Sequence, residues 1–308
     1  MMDFKNLTKV SPLVYVIVLT YNHSADTRQS LLSLQQMTYD NFKLLVVDNN
    51  STDDTVEVVQ QEFHEISLLT NVSNLGFAAG ANIGIQYALQ NQARFILLSN
   101  NDVIVAPDML DYLVAAMQEG VAAVAPLIYY FDDPHRVWSA GFMRHPITWA
   151  MHNGARGVLD EGQWQEPFEV DYLLGCALLL DSNALNSIGC LDENYFFYYE
   201  DLDISFKLQQ AGMCLKTVPK AKLWHKVSVS AGKNTPFRVY QMARSSVFFF
   251  GSHALGCKKL IFFLFRLGSA IRTTLKLMLR KEGHLLKAYW HGIKDGWYLL
   301  RMSRKESQ

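Results

Sequence analysis

The sequence predicts an α/β fold: a mostly parallel sheet flanked by helices, with a basic amphipathic helical segment following it. Three observations predict it. Apolar, β-branched runs of strand length alternate with segments of helical spacing from Leu13 to His225, the pattern of a sheet covered on both faces. Several of those runs are apolar throughout, as strands buried on both sides are. The composition then changes after Pro236, the last proline of the chain.

Each element follows from its residues. Leu13 to Asn22, LVYVIVLTYN, reads as a buried strand after Pro12. A helix follows, with Leu31, Leu34 and Met37 at helical spacing. Phe42 to Ser51 is a second buried strand closed by a polar turn. Thr52 to Asp54 are good capping residues for the next helix. ISLLTN is a short strand, and NLGFAAGANIGIQYALQ a glycine-punctuated loop running into a helix. RFILLSNNDVIV is strand and turn, and Pro107 suits the first position of the helix after it. VAAVAPLIYY is a further strand. Residues 131–170, with three prolines and several glycines, read as loops over a site. A strand and short helix follow, then a helix in YYEDLDISFKLQQAG closed by Gly212, then a strand ending at His225 and a loop. The expected organisation is an N-terminal extension (1–12), a sheet domain (13–235, halves 13–105 and 106–235), and a helical region (236–308).

Half of the 308 residues are hydrophobic, enough for a sizeable core, and the formal net charge is −1. That charge is uneven. From Gly251 to Gln308 there are 12 Lys and Arg against 3 Asp and Glu; before Gly251 there are 16 against 26. Such asymmetry points the tail at an anionic partner. In LIFFLFRLGSAIRTTLKLMLR, residues Leu260, Leu264, Leu267, Ile271, Leu275 and Met278 share one helical face; Arg266, Thr273, Lys276 and Arg280 lie along another. A basic amphipathic helix of this kind is expected to lie on a membrane, the alternative being a helix packed on the sheet domain; its uncharged runs fall short of the roughly 20 residues that span one. The hydrophobic face favours anionic lipid over nucleic acid. The four cysteines lack C-x-x-C spacing, so neither a disulfide framework nor a zinc pattern is expected. No apolar run follows a basic start at the N-terminus, so a cytoplasmic location is expected.

In an open α/β sheet, ligands bind beyond the carboxyl ends of the strands. Polar residues fall at three such ends: Thr20, Tyr21 and Asn22; Asp48, Asn50 and Ser51; Asn100, Asn101 and Asp102. Each alone is compatible with turn chemistry; together they describe a polar shelf. Gly76, Gly80 and Gly84 do not form a dinucleotide or P-loop pattern. Glu200, Asp201 and Asp203 sit beside four aromatics, Phe196 to Tyr199. They read either as acids favoured at a helix N-terminus or as a base with an adjusted pKa. Asp102 and His225 together suit a divalent metal.

The motifs VIVLTYN, VVDNNSTDDT, NLGFAAGANIG, LLSNNDVIV, GCALLL, FFYYEDLDISFKLQQAG and WHKVSVSAG, in that order over residues 13–244, resemble family-2 glycosyltransferases, within them the bacterial rhamnosyltransferase branch. The resemblance implies a GT-A fold and an inverting transfer from a nucleotide-diphosphate sugar with Mg²⁺ or Mn²⁺. It implies Asp48, with Thr20, Tyr21, Asn22, Asn50 and Ser51, at the nucleotide, and Asn74, Gly76 and Asn82 in a loop closing over it. Asp102 matches the last carboxylate of the D-x-D element, whose first position is here Asn100. With one carboxylate fewer, His225 is expected to share the metal. Asp201 matches the catalytic base, with Glu200 beside it. Asp203, Gly175, Tyr199 and Trp138 are expected on the acceptor side, with Trp149 and Trp164 as further platforms.

The expected function is transfer of a sugar, dTDP-rhamnose being the favoured donor, to a hydroxyl of a lipid-linked glycan in cell-surface polysaccharide synthesis, by a peripheral enzyme on the cytoplasmic leaflet. UDP-hexoses, galactofuranose included, are alternative donors. A non-catalytic glycan-binding module is the competing class, and the complete EDLD with His225 argues against it. A nucleotidyltransferase would want a Gly/Arg/Lys-rich loop after the first strand, which TYNHSADTR does not supply.

Overall fold

The computed structural model describes residues 11–226, 235–254, 256 and 258–306. Most of the N-terminal extension, the loop expected after Lys226, and Cys257 lie outside the described residues. The chain runs β1 (Val14–Thr20), α1 (Ser24–Leu34), β2 (Phe42–Asp48), α2 (Thr55–Glu62), β3 (Ser67–Thr70), α3 (Gly76–Gln90), β4 (Phe95–Asn100), β5 (Val103–Val105), α4 (Met109–Ala116) and β6 (Val121–Tyr130). Short strands β7 (Val137–Ser139), β8 (Met143–Arg144), β9 (Met151–His152) and β10 (Phe168–Glu169) occupy the irregular middle. Then come β11 (Ala177–Asp181), α5 (Ser182–Ile188), α6 (Glu200–Gln210), β12 (Cys214–His225), α7 (Pro236–His253), α8 (Lys258–Leu279) and α9 (Gly283–Glu306).

The main sheet has the order β10-β12-β6-β11-β4-β1-β2-β3, with β5 on β12 and β7 on β6. Parallel pairing holds for β3-β2-β1-β4 and for β6 with β12. β11 runs antiparallel between β4 and β6 and joins the two parallel blocks. The chain winds outward from β1 to β3, then returns to place β4 on the other side of β1. That reversal is the switch point at which such sheets bind ligands.

Alternation along β1 divides the core. Val14, Val16 and Val18 face Leu31 and Leu34 of α1, Val59 of α2 and Leu110 of α4. Tyr15 and Ile17 face Ala81 and Ile85 of α3 and Ile204 and Leu208 of α6. Each fully buried Leu or Ile contributes roughly 1.5–3 kcal/mol. α3 rests directly on the sheet: a Cβ at Gly84 would come within 2.6 Å of Ile17 Cγ2. Gly80 and Gly84 are therefore packing positions inside a helix that begins at Gly76 itself, not part of a flexible loop.

Two capping expectations are corrected. Pro107 precedes α4 by two residues, and its carbonyl accepts from the Thr38 N–H and hydroxyl (2.9 and 3.1 Å). Asp54 makes no side-chain cap on α2; Asp53 accepts from the Thr55 N–H at 3.1 Å.

The helical region is not a separate appendage. Phe248 and Phe249 of α7 pack with Trp149, Tyr195, Leu202 and Phe206. Tyr240 of α7 donates to Asp295 of α9 (2.8 Å), and Leu300 of α9 is buried in the same aromatic cluster. α8 differs from both. Only Phe262 and Leu277 along it are buried, and Leu260, Leu264, Leu267, Ile271, Leu275 and Met278, its expected apolar face, are all exposed. Among the described residues, no helix is long and apolar enough to cross a membrane.

Candidate active site

Strand register puts the three polar ends level. Thr20 of β1 lies opposite Asp48 of β2, and Leu19 opposite Asn100 of β4. Beyond β2, the buried Asp48 carboxylate accepts from the Ser51 N–H at 2.9 Å and from the Ser51 hydroxyl. The Ser51 oxygen in turn accepts from the Asn22 N–H at 2.7 Å. Asn22 Oδ1 accepts from the Thr52 N–H at 2.8 Å. Asn22 and Asn50 both have positive φ (58° and 67°), a region Asn tolerates better than most residues. The result is a rigid, acid-bearing floor from which Tyr21 projects into solvent.

Some shelf residues are internal fasteners. Asn101 Nδ2 donates to Thr20 Oγ1 and Thr27 Oγ1 at 3.1 and 3.0 Å, tying the end of β4 to the β1–α1 turn. These contacts point the Asn101 amide and the buried Thr20 hydroxyl inward, away from the donor contact expected of them. Asn82 is likewise corrected. It sits inside α3, nearly buried, with its amide on Leu191 N–H and C=O and on Glu193, so it anchors the segment leading to α6. Asn74 keeps its place at the mouth of the shelf, its Oδ1 accepting from Asn49 Nδ2 and the Gly76 N–H (3.0 and 2.9 Å). Gly76 has φ +83°, and a Cβ there would lie 2.4 Å from the Phe196 carbonyl. Phe77 N–H donates to that same carbonyl at 2.7 Å.

Asp102 and His225 meet at the far end of the shelf. β12 pairs with β5 so that His225 faces Val103. His225 Nε2 then lies 3.1 Å from Asp102 Oδ1 and 3.5 Å from Asn100 Nδ2. Trp138 packs against the imidazole at a tilt, centroid to centroid 4.6 Å; this corrects its placement as an acceptor platform. No group of three His, Cys, Asp or Glu able to hold a metal occurs among the described residues. A carboxylate oxygen and an imidazole nitrogen at one point still fit a divalent cation of the Mn²⁺ type. The remaining positions would fall to ligand phosphate and water.

The second cluster opens α6. Tyr198 and Tyr199 both have positive φ (67° and 78°), costing roughly 1–2 kcal/mol each. This kinked entry delivers three carboxylates with three different surroundings. Asp201 Oδ2 accepts from the Tyr172 hydroxyl at 2.9 Å and the Gly175 N–H at 3.0 Å, and Oδ1 from the Leu202 N–H at 2.9 Å. Burial raises its pKa, and these donors only partly offset that. Glu200 is pushed well above the usual carboxylate range, first by burial and then by the neighbouring Asp201 charge. Its Oε2 is buried without a hydrogen-bond partner. Of this pair, Asp201 therefore ionises first and Glu200 stays protonated longer.

Asp203 is corrected from an acceptor contact to a structural acid. It is 1% exposed and accepts from His253 Nε2–H at 2.6 Å and from Lys207 Nζ at 2.7 Å. Burial works to raise its pKa, but the hydrogen bond from His253 and the Lys207 ammonium hold it below the usual value. Tyr199 and Trp149 are also corrected: both pack in the aromatic cluster around Phe249. Trp164 packs against the small cluster around Tyr129. Gly175 donates its N–H directly to Asp201.

Sequence reasoning missed Tyr172, Asn49 and His253. Asn49 lay in plain view in VDNNS; it is buried and joins Asn71, Asn74, Leu75 and Gly76 to the end of β2. Tyr172 and His253 carry no local signal, because they reach α6 from 29 and 50 residues away.

The chain is 27% identical over 301 residues (91% of this chain, 94% of the other) to an N-acetylglucosaminyl-diphospho-decaprenol L-rhamnosyltransferase of Mycobacterium tuberculosis. It is 22% identical to the dTDP-rhamnosyl transferase RfbF of Shigella flexneri (76% and 78% covered). It is 26% identical to the galactofuranosyltransferase GlfT1 of M. tuberculosis (69% of each). Among solved structures, a Pyrobaculum calidifontis mannosyltransferase in complex with GDP-Man and Mn²⁺ superposes with a TM-score of 0.57 at 16% identity, covering 96% of this chain and 87% of that one. GalNAc-T7 superposes with a TM-score of 0.63 at 14% identity, covering 94% and 57%. These likenesses identify the GT-A fold. The model of glycosyl transferase family 2 matches residues 15–174, more than half of the chain, and the protein belongs to that family of glycosyltransferases.

Proposed function

We propose that this enzyme transfers L-rhamnose from dTDP-rhamnose, with inversion, to a hydroxyl of a lipid-linked glycan at the cytoplasmic surface of a membrane. The observation that carries the reading is Asp201: a partly buried carboxylate of raised pKa, fixed by Tyr172 and Gly175 beside the strand-end shelf. It takes the proton of the acceptor hydroxyl as that oxygen attacks the anomeric carbon. Glu200, the more protonated neighbour, leaves Asp201 as the ionised member of the pair. Asp48 and Ser51 hold the nucleoside end of the donor, and Asp102 with His225 would hold the cation. That cation supplies positive charge to the departing diphosphate. Attack opposite the leaving group needs no glycosyl-enzyme intermediate.

Support for rhamnose comes from two rhamnosyltransferase relatives, one of which covers nearly the whole chain. A UDP-galactofuranose donor is the second reading, favoured by the GlfT1 likeness. A panel of nucleotide sugars, with nucleotide-diphosphate release followed with and without Mg²⁺ or Mn²⁺, tests both; dTDP-rhamnose is expected to turn over fastest with metal. Turnover of UDP-sugars alone overturns the donor assignment.

Support for the membrane comes from α8, whose exposed apolar stripe runs beside Arg272, Lys276 and Arg280, cations suited to anionic lipid. Leu264→Glu with Ile271→Glu should release the protein from phosphatidylglycerol vesicles. Deleting Gly251 to Gln308 is a poorer test, because it also strips α9 from α7. Undiminished sedimentation of the double variant contradicts the membrane role.

A further inference from the structure

Between the β8–β9 hairpin, the C-terminal end of α6 and the α7–α8 junction lies a recess of about 530 Å³. Arg144 and Lys258 line it above an aromatic floor of Trp149 and Phe206. The Arg144 guanidinium lies 5.4 Å from the Trp149 centroid and 4.9 Å from that of Phe206; Lys258 Nζ lies 5.4 Å from Trp149. Asp171 is the carboxylate in the lining. It already accepts from the Arg144 N–H (2.8 Å) and Gln209 Nε2 (3.0 Å), and stands 3.9 Å from the guanidinium. His253 at the edge is committed to Asp203. The Arg144 fork is thus oriented by stacking without being closed on a carboxylate, an arrangement suited to bidentate phosphate binding.

The recess is also tied to the base. Asp201, Ser205 and Gln209 form one stripe of α6 and all touch residues 170–175. Tyr172 and Gly175 bond Asp201, the Leu173 N–H reaches Ser205 at 3.4 Å, and Gln209 bonds Asp171. Gln209 stands eight residues from Asp201, about 12 Å along the helix. Lys258 opens α8, whose apolar stripe leads outward. We infer that this recess binds the phosphate or diphosphate through which the acceptor glycan is joined to its lipid. The glycan then spans the roughly 12 Å between the recess and Asp201, and the lipid leaves beside α8. This rests on the lipid-linked acceptor proposed above.

The test is binding, so that it does not depend on turnover. With the full chain saturated with dTDP to fill the donor site, calorimetry measures farnesyl diphosphate and inorganic pyrophosphate; sedimentation measures phosphatidylglycerol vesicles. Wild type is expected to bind farnesyl diphosphate more tightly than pyrophosphate. Arg144→Ala and Lys258→Ala should each weaken both at least tenfold, while dTDP and vesicle binding stay within twofold. Because Arg144 lies in a hairpin, the exposed Lys258→Glu gives a second variant with little risk to folding, and it should weaken both ligands further. No farnesyl diphosphate binding by wild type, or binding that all three variants retain, overturns the recess as the acceptor's phosphate site. Loss of vesicle binding alone in the variants also overturns it, by making the two cations general lipid contacts. Failure of the donor panel would instead remove the transferase reading.

Discussion

The strand-end shelf and the first turn of α6 are both acidic, but they are built differently. On the shelf, turn residues at neighbouring strand ends hold one another: Asp48 with Ser51, Asn49 with Asn74, Asn22 with Thr52. In the first turn of α6, two of the three carboxylates are held from other elements. Tyr172 and Gly175 hold Asp201, His253 of α7 holds Asp203, and Glu200 is left buried. Bonding from turn to turn ties the strand ends into one polar shelf. Bonding from other elements gives three nearby acids three surroundings: Asp201 with three donors, Glu200 with an unpartnered buried oxygen, and Asp203 held by His253 and Lys207.

The sharpest way to break this comparison is to exchange roles within the turn. Asp201→Asn should lower kcat by about 10³, within the range of general-base contributions, with dTDP affinity unchanged by calorimetry. Next in size is the shelf's far end. Asp102→Ala or His225→Ala should lower activity about 100-fold at low Mn²⁺, with part of the loss restored at high Mn²⁺ in a metal titration.

Asp203→Asn should act on stability instead. Breaking this buried pair is expected to cost about 3 kcal/mol, measured by urea unfolding. The sign with pH follows from its lowered pKa. Its contribution is present above the unfolded-state carboxylate value and is lost as pH falls through the lower folded value. Wild type and variant should therefore converge in acid. The mildest change is Tyr172→Phe. It removes a donor that lowers the Asp201 pKa, so the acidic limb of kcat/KM against pH should move to higher pH, with a several-fold loss at neutral pH.

The same contrast explains what was legible in the sequence. The strands, the helices between them and the shelf follow from runs and turn residues adjacent in the chain. LLSNND was readable because Asn100 and Asp102 end a strand. The short strands β7 to β10 within 131–170 and the antiparallel insertion of β11 were not, since pairing across a sheet leaves no periodic trace. Nor was the fate of Asp203 legible, because its partner His253 lies 50 residues on. The exposed stripe of α8 was legible from its spacing, and the burial of Trp149 was not.

The most direct measurement of the central claim is the pH dependence of the single-turnover rate at saturating donor and acceptor, for wild type and Asp201→Asn. Asp201 acting as the base predicts that the wild-type rate rises with pH through an ionisation above the ordinary aspartate range. In the variant, that ionisation should be absent and the rate about 10³ lower. A variant that keeps the wild-type profile and a rate within a few-fold of wild type would contradict it.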